Sequence, residues 1–559
     1  MADWIVTRRS RKGSTVDETG AGATAPERAT APAMPAVLPR ALMLASACGL
    51  LSRGRSILPR TPQDQVLIST GAGLMGAAAG VVAEGATVVT ARLVPGPRRR
   101  GRVVATGLLA GLAGGALAWA SRRRPDDARA ALVDTARRVG VVATVGGELS
   151  LALHARLPAP LRSNLTRSVW ATGLAAGSAL RALRRRLAEP GDLVMAGIGY
   201  EFLPTVSGGE GSLLPVAELD REGRKFLGCA VSAARIAEVV GGVALDPIRV
   251  YAGLGSASSP VQRARLAVAE LGRLGGLERS RIVLYCPTGS GFVNPIAAAS
   301  EELMSRGDVA SVAFQYSNKR SVRARKHLGR ARETWWLLLE ELDRALAPIP
   351  AERRPEIIVY GESLGAQVVA EVLSEGGTET MRSFNIARGA LMGLPFDGMQ
   401  KLRALRQRGE PLPGGLGVFS DLERLTALPF REQEAIRYLI FTHAEDPVAN
   451  FSGTRLLWER PGWLRPEGRH LRLPAGMRWL PGITYLHVMF DIKNGTSFGP
   501  AFDAYAHDYR RELPTLLRIA FGHSDVTGEE LRAVERETAR AAVDQAERER
   551  GAHVGAGAA

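Results

Sequence analysis

Hydrophobic and polar positions follow one pattern in the first third of the chain and another in the rest. Residues 1–35 are polar and rich in Ala, Pro, Thr and Gly, which predicts a disordered tail. Beyond them, two charge-poor runs, 66–83 and 103–121, approach the roughly 20 apolar residues that cross a bilayer. We therefore predict a helical transmembrane domain over residues 36–187. Its four predicted spans lie near 36–52, 65–88, 103–121 and 166–182.

The shorter apolar runs of this region could instead be buried or interfacial helices. Gly- and Ala-rich segments allow close helix packing in lipid, and they would also suit a soluble helical core, so that alternative stays open.

The remaining two-thirds of the chain alternate short β-branched runs with periodic helical stretches, beginning at about residue 246. This alternation predicts an α/β fold, with a mainly parallel sheet covered by helices on both faces. We assign residues 188–245 to a connecting segment, 246–522 to the α/β domain and 523–559 to a charged helical tail with a solvated face. The predicted strands lie at 248–253, 282–286, 309–315, 356–360, 389–393, 438–442 and 483–490.

The net charge of +16 comes from the first third alone. Residues 1–187 hold 27 Lys or Arg and 10 Asp or Glu, whereas residues 188–559 hold 45 and 46. Because aliphatic residues separate the arginines, the pattern argues against a nucleic-acid surface and favours membrane flanks. Counted over four spans, the positive charges favour a multi-pass protein of the cell membrane with both ends in the cytoplasm. A fifth span would place the C-terminal part outside.

Length and cysteine content bear on the number of domains and on the presence of disulfides or metal sites. The 559 residues, 46% of them hydrophobic, suffice for more than one domain and for at least one large core. Three cysteines, at 48, 229 and 286, rule out a disulfide scaffold, and their spacing matches no metal site. We expect neither a metal nor a cofactor.

The segment Gly361–Gly365 reads G-x-S-x-G, and its context indicates a nucleophilic serine. A strand-like run precedes Ser363 and an apolar helical run follows it, which is the strand–turn–helix that a nucleophile elbow requires. A second match places Ser497 in a Gly/Asn/Pro loop without such a strand. We therefore predict Ser363 as the nucleophile and the α/β-hydrolase fold for this domain.

A serine nucleophile needs a base, and the base needs an orienting carboxylate, in the chain order Ser, acid, His. Asp446 directly follows a predicted strand and is our acid, with Glu445 as the alternative. Of the four histidines beyond it, we select His507, which follows a loop and is expected to open a helix. The other three are His470, His487 and His523.

The oxyanion of such a reaction needs two backbone N–H donors. We predict one from Leu364, directly after the nucleophile. The second is expected from the Gly-rich loop 286–292, where Thr288 and Gly289 are the candidates. A plain turn is the alternative interpretation of that loop.

Eight short segments together carry a family resemblance that no single motif carries. They are SILPR at 56–60, GRKF at 223–226, RVYAGL at 249–254, PTGSGF at 287–292, GESLGA at 361–366, DPV at 446–448, RPGWL at 460–464 and HDY at 507–509. Over residues 40–520 the chain resembles an actinobacterial membrane-associated α/β-hydrolase family, whose members join a helical N-terminal domain to an α/β-hydrolase catalytic domain. The resemblance implies Ser363, Asp446 and His507 as a catalytic triad.

These observations predict a membrane-anchored serine hydrolase that cleaves carboxylic esters or thioesters. Its expected partners are a small-molecule or lipid acyl ester and membrane lipids, with no nucleic acid. Residues 395–429 could form a lid over an acyl site or an inert insertion. Two other functions stay open: an acyltransferase with the same triad, and a non-catalytic membrane scaffold with a hydrolase-like binding domain.

Overall fold

A seven-stranded parallel sheet lies at the centre of the folded chain. The computed structural model describes residues 37–93, 200–319, 327–376, 378–407, 414–465, 472–495 and 506–556. The strands are β1 (Ile248–Ala252), β2 (Arg281–Cys286), β3 (Val309–Phe314), β4 (Glu356–Glu362), β5 (Ile386–Met392), β6 (Leu416–Phe419) and β7 (Tyr438–Phe441). Their order across the sheet is β1-β3-β2-β4-β5-β7-β6, and every neighbouring pair is parallel. The predicted parallel sheet is confirmed.

The helices fall before, between and after these strands. The first eight are α1 (Val37–Leu51), α2 (Pro62–Leu93), α3 (Arg221–Gly228), α4 (Ala233–Val240), α5 (Pro260–Arg273), α6 (Pro295–Met304), α7 (Leu328–Leu346) and α8 (Leu364–Gly376). The next eight are α9 (Thr378–Ser383), α10 (Phe396–Gln407), α11 (Leu422–Thr426), α12 (Phe430–Ala435), α13 (Pro447–Asn450), α14 (Ile483–Gly495), α15 (Leu513–Ala520) and α16 (Gly528–Ala556). Single 3₁₀ turns lie at Val216–Glu218, Leu254–Ser256, Gly276–Glu278, Ala351–Arg353, Gly453–Leu457 and Gly462–Leu464.

Helices cover both faces of the sheet, as the sequence predicts. One apolar core joins the sheet to α3, α4, α6, α15 and α16, and the other joins it to α5, α7 and α8. Every residue of β1 and β3 is buried. Burial on both faces explains why these strands appear in the sequence as nearly continuous apolar runs rather than as alternating patterns.

One predicted strand is wrong and one strand was not predicted. The run at 483–490 is rich in β-branched and aromatic residues, but it forms the helix α14. Its buried residues include Ile483, His487 and Asp491, spaced by four positions as on one helix face. The seventh strand is instead β6, a four-residue edge strand inside the segment that was considered as a lid.

The charged C-terminal helix α16 is not solvated all round. Val534, Thr538 and Ala542 recur every four residues and are buried, and α16 packs against α4, α6 and α15. The expectation of a solvated tail is therefore wrong for this face. The abundance of charge on the other faces conceals the short apolar stripe in the sequence.

The N-terminal helices α1 and α2 pack against each other as a hairpin. They coincide with the predicted spans near 36–52 and 65–88. Across the residues that the structure describes, we find no helix whose length and apolar content would let it cross a membrane. The spans predicted at 103–121 and 166–182 lie outside the described residues.

The loop between α1 and α2 is fastened to α14 by polar contacts. The buried Asp491 carboxylate accepts hydrogen bonds from the Ser56 hydroxyl and, at 3.1 Å, from the Ile57 N–H. Lys493 Nζ lies 2.8 Å from Asp64 Oδ1. Burial raises the pKa of Asp491 to about 6, even though these hydrogen bonds and the charge of Arg60 act in the opposite direction.

We expect the stabilisation from Asp491 to decline as the pH rises. An unfolded Asp ionises at about pH 3.9, whereas the folded carboxyl keeps its proton up to about pH 6. The contribution is therefore fully present below about pH 4 and lost as the pH rises through about 6, a change of about 2–3 kcal/mol. Urea unfolding of wild type and Asp491→Asn between pH 4 and 7 measures it, as the difference between the two free energies of unfolding. A difference that stays constant with pH would contradict the prediction.

Candidate active site

Ser363 occupies a sharp turn between β4 and α8, as the motif predicts. Its φ angle is +56°, in the left-handed region that non-glycine residues rarely adopt. Neighbouring backbone atoms lie so close to positions 361 and 365 that only glycine fits there. A β-carbon on Gly361 would lie 2.7 Å from the Ala366 Cα, and one on Gly365 would lie 2.1 Å from the Cys286 carbonyl oxygen. Together they hold the serine in a strained position at the carboxyl edge of the sheet.

The turn is fixed to its neighbours and opens on a cavity. The Ser363 N–H donates to the Met392 carbonyl at 2.8 Å, which ties the turn to the end of β5. Ser363 lines a cavity of about 380 Å³ that His507 also lines. Leu364 is the first residue of α8, so its N–H belongs to the free donors at a helix N-terminus. Such a terminus favours negative charge.

His507 and Asp446 form a buried hydrogen-bonded pair. His507 Nδ1 lies 2.7 Å from Asp446 Oδ2, and both side chains are almost completely buried. The other oxygen of Asp446 accepts the Val448 N–H at 2.7 Å, so the carboxylate also caps α13. The capping fixes the carboxylate in one orientation toward the imidazole.

Neighbouring negative charges affect the pKa of the His507 imidazole more than its burial does. Burial alone would lower the pKa of His507, but the charge and hydrogen bond of Asp446, with the charges of Glu362 and Asp508, raise it above the usual value. The pair therefore stabilises an imidazolium, which is the form that a base adopts after it accepts a proton.

Gly393, at the end of β5, brings the serine turn and the histidine close together. A β-carbon on Gly393 would lie 2.8 Å from His507 Cε1, and the preceding Met392 is the residue that binds the Ser363 N–H. The φ angle of Gly393 is +59°. Only glycine satisfies both the left-handed backbone and the lack of space at this position.

The Gly-rich loop after β2 lies against the serine turn. Gly365 packs on the carbonyl oxygens of Cys286 and Pro287. Within the loop, the Thr288 N–H donates to the Phe292 carbonyl at 2.9 Å. The Thr288 amide is thus engaged inside the loop, which leaves Gly289 as the other predicted oxyanion donor.

Two further buried groups adjoin the pair and were not predicted. The Tyr509 hydroxyl donates to Asp446 Oδ2 at 2.5 Å, beside the histidine. Glu362 accepts hydrogen bonds from Asn294 Nδ2 at 3.0 Å and from the Tyr360 hydroxyl at 2.9 Å, and it lines the cavity. Burial raises the pKa of Glu362 despite these donors. The spacing of Tyr509, two residues after His507, is the only signal of it in the sequence.

His443 supports the turn that carries His507. Its Nδ1 lies 2.9 Å from the carbonyl of Ala506, and its Nε2 lies 2.6 Å from Glu512 Oε2. Its ring stacks on Tyr509 with 4.4 Å between centroids. Burial would lower the pKa of His443, but Glu512 raises it above the usual value. Both ring nitrogens of His443 thus lie beside oxygen atoms, and these contacts hold the turn that carries His507.

The alternative residues lie elsewhere. Glu445 is paired with Arg472 at 3.3 Å, and His487 contacts the Ser52 carbonyl at 2.9 Å. His523 pairs with Glu301 at 2.6 Å. His507 does not open a helix, because α15 begins only at Leu513. The remaining alternatives, His470 and Ser497, lie outside the described residues.

Neither a lid nor a metal site is found at the cavity among the described residues. No described residue of the segment 395–429 lines the cavity, so the lid prediction gains no support from them. Among the described residues, no group of three or more His, Cys, Asp or Glu side chains could hold a metal ion.

A parallel sheet with a serine on a strand–turn–helix, followed in the chain by an acid and a histidine, defines the class of α/β-hydrolases. The chain matches the model of the alpha/beta-hydrolase family over residues 248–534, which is half of its length, and it belongs to this family. Family membership indicates a hydrolase. The match does not extend to the N-terminal third, so the membrane domain and the actinobacterial source implied by the resemblance stay predictions. No curated protein and no solved structure matches the chain.

Proposed function

We propose that the protein is a serine hydrolase that cleaves carboxylic esters or thioesters. Ser363 is the nucleophile, His507 the base and Asp446 the residue that orients the base. The observation that carries this proposal is the pairing of His507 Nδ1 with Asp446, while His507 and the strained Ser363 line one cavity. Asp446 fixes the imidazole with its proton on Nδ1, which leaves Nε2 free to accept the serine proton.

The proposed reaction has two stages, acylation of the serine and hydrolysis of the acyl-enzyme. Ser363 Oγ attacks the acyl carbonyl as its proton passes to His507 Nε2, and the imidazolium then protonates the leaving alcohol or thiol. Water attacks the acyl-enzyme with His507 again as the base, which releases the carboxylic acid and restores the serine. The amides of Leu364 and Gly289 are proposed to stabilise the oxyanion of each tetrahedral intermediate.

Attachment to the membrane is part of the proposal and rests on the sequence alone. The arginine-flanked apolar runs of residues 36–187 would hold the enzyme at the membrane, with its catalytic part on the cytoplasmic side.

Labelling of the full chain with a fluorophosphonate tests the proposal. The expected product is a single adduct on Ser363, located by mass spectrometry of the peptides and recovered in the carbonate-washed membrane fraction. An adduct on Ser363 in the soluble fraction would reject the attachment only. If a folded protein gave no adduct, the hydrolase proposal would fail and a binding role for the domain would replace it.

A further inference from the structure

The cavity beside Ser363 extends along α6. Four residues of this helix line it, and they share one face: Pro295, Ile296, Ala299 and Leu303. Asn294, directly before α6, donates to Glu362, the neighbour of Ser363. The cavity therefore starts at the serine and runs about 12 Å along α6, eight residues at the helical rise, to Leu303.

The opposite wall is the buried face of α16, which runs antiparallel to α6. Near the carboxyl end of α6, Arg306 pairs with Glu530 at 2.5 Å. Near the serine, Lys225 lies 5.5 Å from the centre of the Phe292 ring and pairs with Glu549 at 2.7 Å. Between these two contacts, the residues of α16 that line the cavity run from Glu537 to Glu549.

Ala541 and Ala542 lie in the middle of this wall, and both line the cavity. Ala299 of α6 also lines it, so three small side chains face the cavity in this region. A larger side chain at 541 or 542 would fill the channel at about half its length.

Charged side chains that line the cavity form ion pairs, some with each other and some with residues outside the lining. Arg221 and Lys225 both contact Glu549, at 3.1 and 2.7 Å, and Glu537 pairs with Arg235. Burial alone would raise the pKa of Glu549, but the two cations lower it to about 2, so its charge persists and neutralises theirs. Between these pairs the lining is mainly apolar, although a few uncharged polar side chains also contribute: Thr288, Ser290, Thr538 and Gln545. Such a lining favours an uncharged chain rather than an ionic group.

We infer that the cavity binds the acyl chain of the substrate, that this is a single unbranched chain of medium length, and that Ala541 and Ala542 limit its length. The inference rests on the proposed function, because it places the acyl carbonyl at Ser363. The volume of about 380 Å³ is near the lower end of the roughly 300–1,000 Å³ of small-molecule sites. That volume suits one chain and is too small for a lipid with two.

A series of alkyl fluorophosphonates with ethyl, octyl and hexadecyl chains tests which chain length the cavity accepts. The measured quantity is the rate at which each compound labels Ser363. We expect wild type to react with the octyl compound about tenfold or more faster than with the ethyl compound, because the channel buries the added methylenes. The hexadecyl compound should lose this advantage. In Ala541→Phe the octyl rate should fall about tenfold or more, whereas the ethyl rate should change less than about twofold.

Val543→Phe is the matched control, because Val543 lies on the same helix and is 39% exposed. It adds the same ring outside the cavity and should keep the wild-type preference. Ala542→Val is the second, smaller obstruction in case Ala541→Phe does not fold. If Ser363 is labelled and the chain-length preference is the same in all folded variants, the acyl-channel inference is overturned while the hydrolase proposal stands. If no compound labels Ser363, both are overturned.

Discussion

Replacing Ser363 with Ala is expected to lower kcat/KM for a p-nitrophenyl ester by about 10⁵–10⁶-fold, because the nucleophile of a triad enzyme carries the covalent step. Alanine removes the hydroxyl oxygen and keeps the β-carbon, so the turn at φ +56° is retained. Esterase assays beside a thermal unfolding curve separate loss of chemistry from loss of fold.

Ser497→Ala supplies the control for this result, since Ser497 belongs to the second G-x-S-x-G match. It should keep the wild-type kcat/KM. A Ser363→Ala protein that retained a tenth of the wild-type rate would show that another residue performs the attack.

Asp446→Asn is expected to lower kcat by about 10⁴-fold, the second largest effect that the site predicts. An amide can donate to His507 Nδ1 and thereby stabilise the tautomer with its proton on Nε2, which cannot accept the serine proton. The charge of Asp446 also raises the pKa of His507. The limb of the pH–rate profile that reports His507 should therefore move to lower pH in the residual activity of the variant.

Variants of two neighbouring residues serve as comparisons for the loss of activity in Asp446→Asn. Tyr509→Phe removes the second hydrogen bond to Asp446 Oδ2 and leaves the His507 pair in place, so its loss should be far smaller. Glu445→Gln should retain activity, because Glu445 contacts Arg472 rather than His507. Equal losses in Asp446→Asn and Glu445→Gln would contradict the assignment of the acid.

The sheet could be predicted because its strands are buried on both faces. Six of the seven predicted strands coincide with β1, β2, β3, β4, β5 and β7. The strand predicted at 483–490 is wrong because an apolar segment of eight residues fits a buried strand and a buried helix equally well. β6 was not predicted because it is a short edge strand. Its four residues are only partly buried and show no clear hydrophobic pattern.

Local motifs and the order of residues along the chain suffice to select the residues of the candidate site. The turn at Ser363 requires glycines at 361 and 365, and the sequence displays them. Tyr509 and Glu362 act through contacts that only the folded chain creates, since Asn294 approaches Glu362 from 68 residues away. The sequence marks Tyr509 only by its position two residues after His507, and it gives no sign of the contact between Asn294 and Glu362.

The cavity is lined by residues on both sides of the segment that matches the family. The segment that matches the family ends at residue 534, whereas the residues of α16 that line the cavity run from Glu537 to Glu549. Lys225 and Val231, before the first strand, also line it. A truncated enzyme trimmed to the family segment would keep the seven strands and the serine turn but lose one side of its cavity to solvent. The cavity therefore extends, at both ends, beyond the segment that matches the family.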